Sequence, residues 1–332
     1  MAQLLEDRSI ASAARPVRGE VGLGQRLGAH LRIARLDHCV KQIFILPGMV
    51  LALTIAHPAV NAALWRRGLL GLAAATLIAS SNYVINEMLD APFDRLHPTK
   101  KNRPAACGLV HFGWGYAQWL LMMLAGMAMA VTISRGFALS AGLLWLMGCI
   151  YNIPPLRSKD LPYLDVVSES VNNPIRFCLG WYSVTAVVLP PASLLISYWM
   201  LGAYFMALKR FSEYRQIGDP AVAAGYRRSF AFYREESLLN SVIFYAAAAM
   251  LFFGAFIMRY RMELILCFPA VAWMMAIYFG LSFRHESAVQ NPEKLYREPR
   301  LMISLVFSTM LIVFLLFVRM PGLEALFPPS AP

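Results

Sequence analysis

The chain is short of charge. Only 15% of its 332 residues are Asp, Glu, Lys or Arg, where a soluble domain of this size carries about 25%. With 58% hydrophobic residues and a mean hydropathy of +0.53, it holds more apolar surface than one water-facing core can bury. Lipid is therefore the expected solvent. The five cysteines (Cys39, Cys107, Cys149, Cys178, Cys267) lack metal-ligand spacing and any paired extracellular pattern, and read as small apolar fillers. The six histidines are scattered without zinc spacing. Gly-rich phosphate loops, a nucleophile elbow, internal repeats and low-complexity stretches are absent as well. These absences exclude P-loop chemistry, a zinc centre and serine-hydrolase chemistry. No cleavable signal peptide is visible, because the first forty residues hold Arg8, Arg15, Arg18, Arg26, Arg32 and Arg35 and no clean apolar core.

What is present is a series of apolar runs long enough to cross a bilayer as helices. Nine are read, at about 43–60, 68–88, 114–133, 137–153, 168–188, 193–208, 238–258, 262–282 and 301–319. Backbone polar groups in lipid need internal partners, so the expected fold is all-α, a polytopic membrane bundle of about nine helices. The net charge of +11 is not spread as a nucleic-acid surface would be. Counted by alternate loops, 23 of the 30 Lys and Arg fall on the side of the N-terminus, six fall opposite, and Arg176 lies inside a span. The positive-inside rule then puts the N-terminus in the cytoplasm and the C-terminus outside, in a cytoplasmic (inner) membrane. The expected organisation is a cytoplasmic or membrane-surface segment at 1–34, a transmembrane domain at 35–320 and a tail at 321–332.

The chemistry concentrates at the inner end of the second span. Asn86, Asp90 and Asp94 are spaced by four and stack on one face of a helix, with Glu87 beside them. Acids crowded at a membrane boundary are costly unless a cation compensates. Hard oxygen donors without His or Cys suit Mg²⁺, which bridges one or two carboxylates to substrate phosphates. Lys100, Lys101 and Arg103 follow and can hold phosphate oxygens. Pro92 is expected to end or kink the helix, leaving Asp94 on the following loop.

The run from Asn86 through Asp90 and Asp94 to Arg103-Pro104 resembles the first signature of the UbiA-type intramembrane prenyltransferases. That resemblance implies a nine-helix bundle with a cytoplasmic active site. The stretch Asp94-Arg-Leu-His97-Pro-Thr-Lys100-Lys101-Asn-Arg103-Pro is most similar to the branch that makes decaprenylphosphoryl-5-phosphoribose. Ordinary members of the superfamily carry a second Asp-rich motif between spans six and seven. Here that loop reads Lys209-Arg210-Phe-Ser-Glu213, then Arg227 and Tyr233, with Asp219 standing alone. It resembles the basic, aromatic segment of the phosphoribosyltransferase branch, and a basic lining suits an anionic phosphate directly. The same resemblance aligns Lys159, Asp165 and Arg176 around span five, with Tyr151 nearby, and Lys41 at the start of span one. Arg284 and His285 are weaker candidates.

The activity implied is Mg²⁺-dependent transfer of 5-phosphoribosyl from phosphoribosyl diphosphate to a polyprenyl phosphate. Asn86, Glu87, Asp90 and Asp94 would be the metal ligands. Asp90, Asp94, Lys100 and Arg103 would carry the catalysis. Lys41, Lys101, Tyr151, Lys159, Arg176, Lys209, Arg210, Glu213, Arg227 and Tyr233 would bind substrate. Nucleic acid is not a partner, and a homo-oligomer is compatible with the sequence. Two alternatives compete: prenyl transfer to an aromatic acceptor, which calls for the second Asp motif, and a membrane transporter with a cation site, which calls for charges at mid-membrane and inverted repeats.

Overall fold

The computed structural model describes residues 22–95, 100–285, 287–290 and 292–326, and of 38–41, 292, 293 and 324–326 the backbone alone. The segment at 1–21, the Lys41 side chain, His97 and the end of the tail lie outside the described residues. No strand occurs among the described residues.

Thirteen α-helices follow in order among them: α1 (Leu23–Ile33), α2 (Leu46–Ala56), α3 (Ala62–Asp94), α4 (Phe112–Ile133), α5 (Arg135–Asn152), α6 (Leu164–Ser170), α7 (Asn172–Val184), α8 (Ala192–Ile217), α9 (Pro220–Tyr226), α10 (Glu235–Tyr260), α11 (Phe268–Ser282), α12 (Pro299–Phe317) and α13 (Pro321–Leu326). Among the described residues, six helical stretches are long and apolar enough to cross a membrane: Ala62–Asp94, Phe112–Ile133, Ala192–Ile217, Glu235–Tyr260, Met262–Ser282 and Pro299–Phe317. The other three expected spans are helical but fall short. The first follows a 3-10 stretch at Leu36–Ile45 and leaves eleven residues in α2. α5 has 18 residues, but they begin at Arg135 and end in Tyr151 and Asn152. The run at 168–188 is broken between α6 and α7, where the Asn172 side chain donates to the Glu169 carbonyl at 3.0 Å.

The chain divides into two compact units. Of the described residues, the first contains those up to 48 and within 59–157 and 178–186; the second contains those within 49–58 and 158–177 and from 187 on, with boundaries inside α2 and α7. In the first unit α3 is the axis. Asn61 starts it, its side chain accepting from the Leu64 N–H at 3.0 Å. At 1.5 Å per residue its 33 residues extend about 50 Å, well beyond a hydrocarbon core of about 30 Å. The surplus lets its last turns carry polar side chains out of the lipid. α5 approaches closely because position 148 is glycine: a Cβ there would lie 2.1 Å from Asn82 Cγ, and Asn82 donates to the Leu144 carbonyl at 2.9 Å. Ser81 likewise donates to the Trp119 carbonyl of α4 at 2.8 Å.

In the second unit α8 packs along α10, with Ser197 Oγ donating to the Ala249 carbonyl at 2.9 Å. Trp199 Nε1 reaches the Val167 carbonyl of α6 at 3.0 Å, and Tyr204 OH the Met275 carbonyl of α11 at 2.8 Å. Gly202 admits Asn173, whose Nδ2 would sit 2.2 Å from a Cβ. Gly218, at φ 70°, ends α8 in the left-handed conformation that glycine takes without cost.

Candidate active site

Pro92 does not end α3. The helix runs through it to Asp94, so all four polar residues of the stripe are helical. The loop position expected for Asp94 is corrected accordingly. Pro92 lacks an N–H, but it stands two residues before the helix end, and the Arg95 N–H still bonds the Ala91 carbonyl across it at 3.2 Å.

The stripe is divided by its partners. Glu87 and Asp94, two turns apart, are buried, at 5% and 4% exposure. Asp94 Oδ2 accepts from Arg103 Nη1 at 2.8 Å, and Glu87 Oε1 accepts from the Ala105 N–H at 3.4 Å. Arg35 and Arg103 both act electrostatically on Glu87. Asn86 and Asp90 belong to a second set. Asn86 Nδ2 donates to Asn152 Oδ1, and Arg157 Nη2 donates to Asp90 Oδ1 at 2.8 Å. The Arg157 guanidinium also lies 5.1 Å from the centre of the Phe93 ring. Arg157 has φ 27°, outside the conformations a side chain favours, and such strain concentrates at functional sites. Lys100 is half-buried and Lys101 exposed.

The second unit has its own charged cluster, centred on Asp165, which is fully buried. Its carboxylate accepts from Arg210 Nε at 3.0 Å, Ser229 Oγ at 3.3 Å and Tyr233 OH at 2.7 Å, and Arg227 Nε lies 3.3 Å away. Arg210 also reaches Glu213 at 3.1 Å, and Lys209 stands 4.0 Å from the same carboxylate. Arg227 donates to the Lys159 carbonyl at 3.3 Å, and Lys159 is buried. Burial and the adjacent Asp165 carboxylate hold the Tyr233 phenol above its usual ionisation range. The lone acid Asp219 is an N-cap: its side chain accepts from the Ala221 and Val222 N–H groups at 2.8 and 3.4 Å.

Each unit thus assembles its own subset of the expected residues. Asn86, Glu87, Asp90, Asp94 and Arg103 meet in the first; Lys209, Arg210, Glu213, Arg227, Tyr233 and the Lys159 backbone meet in the second. Arg176 stands apart, 8% exposed, with its Nε buried and without a hydrogen-bond partner. Tyr151 is half-buried near the end of α5. Arg284 is exposed and pairs with Glu298 at 3.1 Å. Reading the sequence missed Asn152, Arg157 and Ser229 as members of these clusters. Only the proximity of Arg157 to Lys159 could have flagged one of them.

Among the described residues, no three His, Cys, Asp or Glu side chains converge as a metal-holding group. The donor set still fits Mg²⁺, because Asp90 and Asp94, one helical turn apart, supply the one or two carboxylates that this ion takes alongside phosphate oxygens.

Apolar helices of spanning length that end in two charged clusters define an integral membrane protein with polar chemistry at its helix ends. The family model described as the UbiA prenyltransferase family matches residues 43–318, and the chain belongs to that family of membrane transferases. It is 30% identical over 178 residues to decaprenyl-phosphate phosphoribosyltransferase of Mycolicibacterium smegmatis, covering 52% of each chain. It is 31% identical over 110 residues to an uncharacterized protein of Sinorhizobium fredii, covering 33% of this chain and 21% of that one. The chain thus spans about half, or less, of the length of these curated relatives. Its fold is similar to a UbiA homolog from Archaeoglobus fulgidus bound to DMAPP and Mg²⁺, with a TM-score of 0.65 at 20% identity, covering 86% of this chain and 99% of that one.

Proposed function

We propose that this protein transfers 5-phosphoribosyl from phosphoribosyl diphosphate to a polyprenyl phosphate in the cytoplasmic membrane, with its N-terminus and active site on the cytoplasmic side. The observation that carries the reading is the state of the second cluster. Its two carboxylates, Asp165 and Glu213, are already engaged by Arg210, Arg227 and Lys209. Three cations against two acids leave a positive surplus where other family members place acids for a metal. A positive surplus in a poorly solvated place receives an anion directly. The similarity to decaprenyl-phosphate phosphoribosyltransferase supports the same substrate pair.

In this reading Asp90 and Asp94, aided by Asn86 or Glu87, hold Mg²⁺ against the diphosphate. The bound ion supplies Lewis-acid neutralisation of the leaving group. Arg103, Lys100 and Lys101 offset the negative charge that grows on the diphosphate as its bond to ribose C1 breaks. The Arg157–Asp90 pair holds the orientation of that carboxylate. Lys209, Arg210 and Arg227 hold the lipid phosphate, one of whose oxygens forms the new bond to C1. Lys159 and Arg176 are further anion ligands, and Arg176 is suited to the task because its buried Nε has no hydrogen-bond partner. A phosphate monoester has a second pKa of about 6, so the attacking oxygen is ionised at neutral pH and no strong base is needed.

The test is an assay of purified protein with labelled phosphoribosyl diphosphate, Mg²⁺ and a polyprenyl phosphate. Label is expected in the lipid phase, with diphosphate released. The second reading, prenyl transfer to an aromatic acceptor, is favoured by the prenyl diphosphate and Mg²⁺ bound in the fold's solved relatives. Reaction of a prenyl diphosphate with an aromatic acid, and no label in lipid from phosphoribosyl diphosphate, would establish it and overturn the first.

A further inference from the structure

α1 has two apolar faces, and the described residues bury only one. Ala29 and Ile33, with Ala34 just beyond the helix, are buried against Val84, Met88 and Ala91 of α3 and against Ala105 and Val110. His30 fixes the seating: its Nδ1 lies 2.9 Å from Gln118 Oε1 of α4, and its carbonyl accepts from Gln118 Nε2 at 2.9 Å. The opposite face carries Leu23, Leu27 and Leu31, which are 76%, 59% and 67% exposed. At 3.6 residues per turn, residues four apart drift by about 40°, so the three leucines form one stripe.

Three observations say what covers that stripe. The first is depth. α1 packs on α3 from Val84 to Ala91, the level at which the apolar sequence of α3 gives way to Asn86, Glu87, Asp90 and Asp94. A helix seated there meets the boundary between acyl chains and headgroups. The second is charge. Arg26 and Arg32 flank the stripe and are exposed, and residues 22–36 contain no acid. The third is continuity. Exposed Leu36, Ile43 and Leu46 carry the apolar surface from α1 into the apolar helical stretch Gln42–Ala56.

We propose that α1 is an interfacial anchor for an anionic bilayer surface. Leu23, Leu27 and Leu31 enter the acyl boundary, while Arg26 and Arg32 extend to lipid phosphates. The anchor also reaches the candidate site, because Ala105, packed under α1, is the residue whose N–H binds Glu87.

The test uses the full chain with its five native cysteines replaced, in nanodiscs of phosphatidylcholine with or without phosphatidylglycerol. A nitroxide is placed at position 23, 25, 27 or 31. At 23, 27 and 31 collisions with oxygen are expected to exceed those with a water-soluble nickel chelate, with the reverse at 25. Water-exposed labels at all four positions would overturn the proposal. So would spin–spin broadening between copies, which would assign the stripe to a second chain. Immersion is expected to deepen with phosphatidylglycerol and to lose that response in the R26E/R32E variant; an identical depth in both lipids would remove the anionic preference. Trypsin supplies a measurement on the unmodified chain in vesicles. Cleavage after Arg26 and Arg32 is expected to slow severalfold when anionic lipid is present, and an unchanged rate would count against the anchor.

Discussion

Arg103 Nη1 donates to Asp94 Oδ2 at 2.8 Å, so the basic stretch after α3 folds back onto the last acid of the stripe. The two features read side by side in the sequence are one ion pair in space. The pair is asymmetric, with the Asp94 side chain 6% exposed and that of Arg103 26% exposed. Arg103 therefore orients a buried carboxylate while about a quarter of its own side chain stays exposed.

Arg103→Ala is expected to lower kcat for phosphoribosyl transfer on the order of 10²-fold, the scale seen when one charge-stabilising donor is lost. Arg103→Lys restores part of that loss, since it keeps the charge but not the planar fork. Steady-state kinetics on folded protein decides it, and wild-type turnover in the alanine variant would remove Arg103 from the chemistry. Asp90→Ala and Asp94→Ala should each abolish turnover, and full activity in both would sink the metal assignment.

Asp165→Ala leaves two guanidinium groups, a serine and a tyrosine without their shared acceptor. Removing one partner of a buried ion pair costs about 3–5 kcal/mol. Tyr233→Phe deletes two hydrogen bonds, the one its hydroxyl donates to Asp165 at 2.7 Å and the one it accepts from the Tyr163 N–H at 2.5 Å, and should cost about 2 kcal/mol. Thermal unfolding in detergent is expected to rank the two variants in that order. Equal losses would mean that Asp165 is not the node of the cluster.

Replacing Lys209 and Arg210 together should chiefly raise the apparent KM for the lipid phosphate, by about tenfold or more for two charge-assisted contacts. The KM for phosphoribosyl diphosphate should change far less. An unmoved lipid KM would take both residues out of the phosphate site.

The alkaline limb of stability tests Tyr233. Its folded pKa is raised, through burial first and then the Asp165 charge. The unfolded phenol ionises at about 10. Its contribution is thus fully present below pH 10 and is lost as pH rises above that value, because the unfolded state gives up its proton first. Tyr233→Phe should therefore show a flatter fall in unfolding free energy above pH 10. A fall as steep as the wild type would place the responsible group elsewhere.

Much of this protein is legible from its linear order. Helix formation in lipid needs only a local apolar run, and each of the nine expected segments is helical, six of them at spanning length. The candidate acids are legible for the same reason, since Asn86, Asp90 and Asp94 lie within three turns of one helix. Shortened segments were harder to foresee. Asn172, Asn173 and Pro174 interrupt an apolar run by side-chain capping and by a missing N–H, and the apolar character of the run as a whole registers neither.

By itself, the sequence determined the lipid solvent, the helical class and the acid stripe, because composition and short-range periodicity encode these locally. Only the tertiary structure decided how the stripe is shared out. It gave Asp90 to Arg157, 67 residues away, and Asp94 to Arg103, and it made Asp165 the hub of residues 45 to 68 positions distant. Ion pairing depends on where helices bring side chains and on how little water remains there, and neither quantity has a period in the sequence.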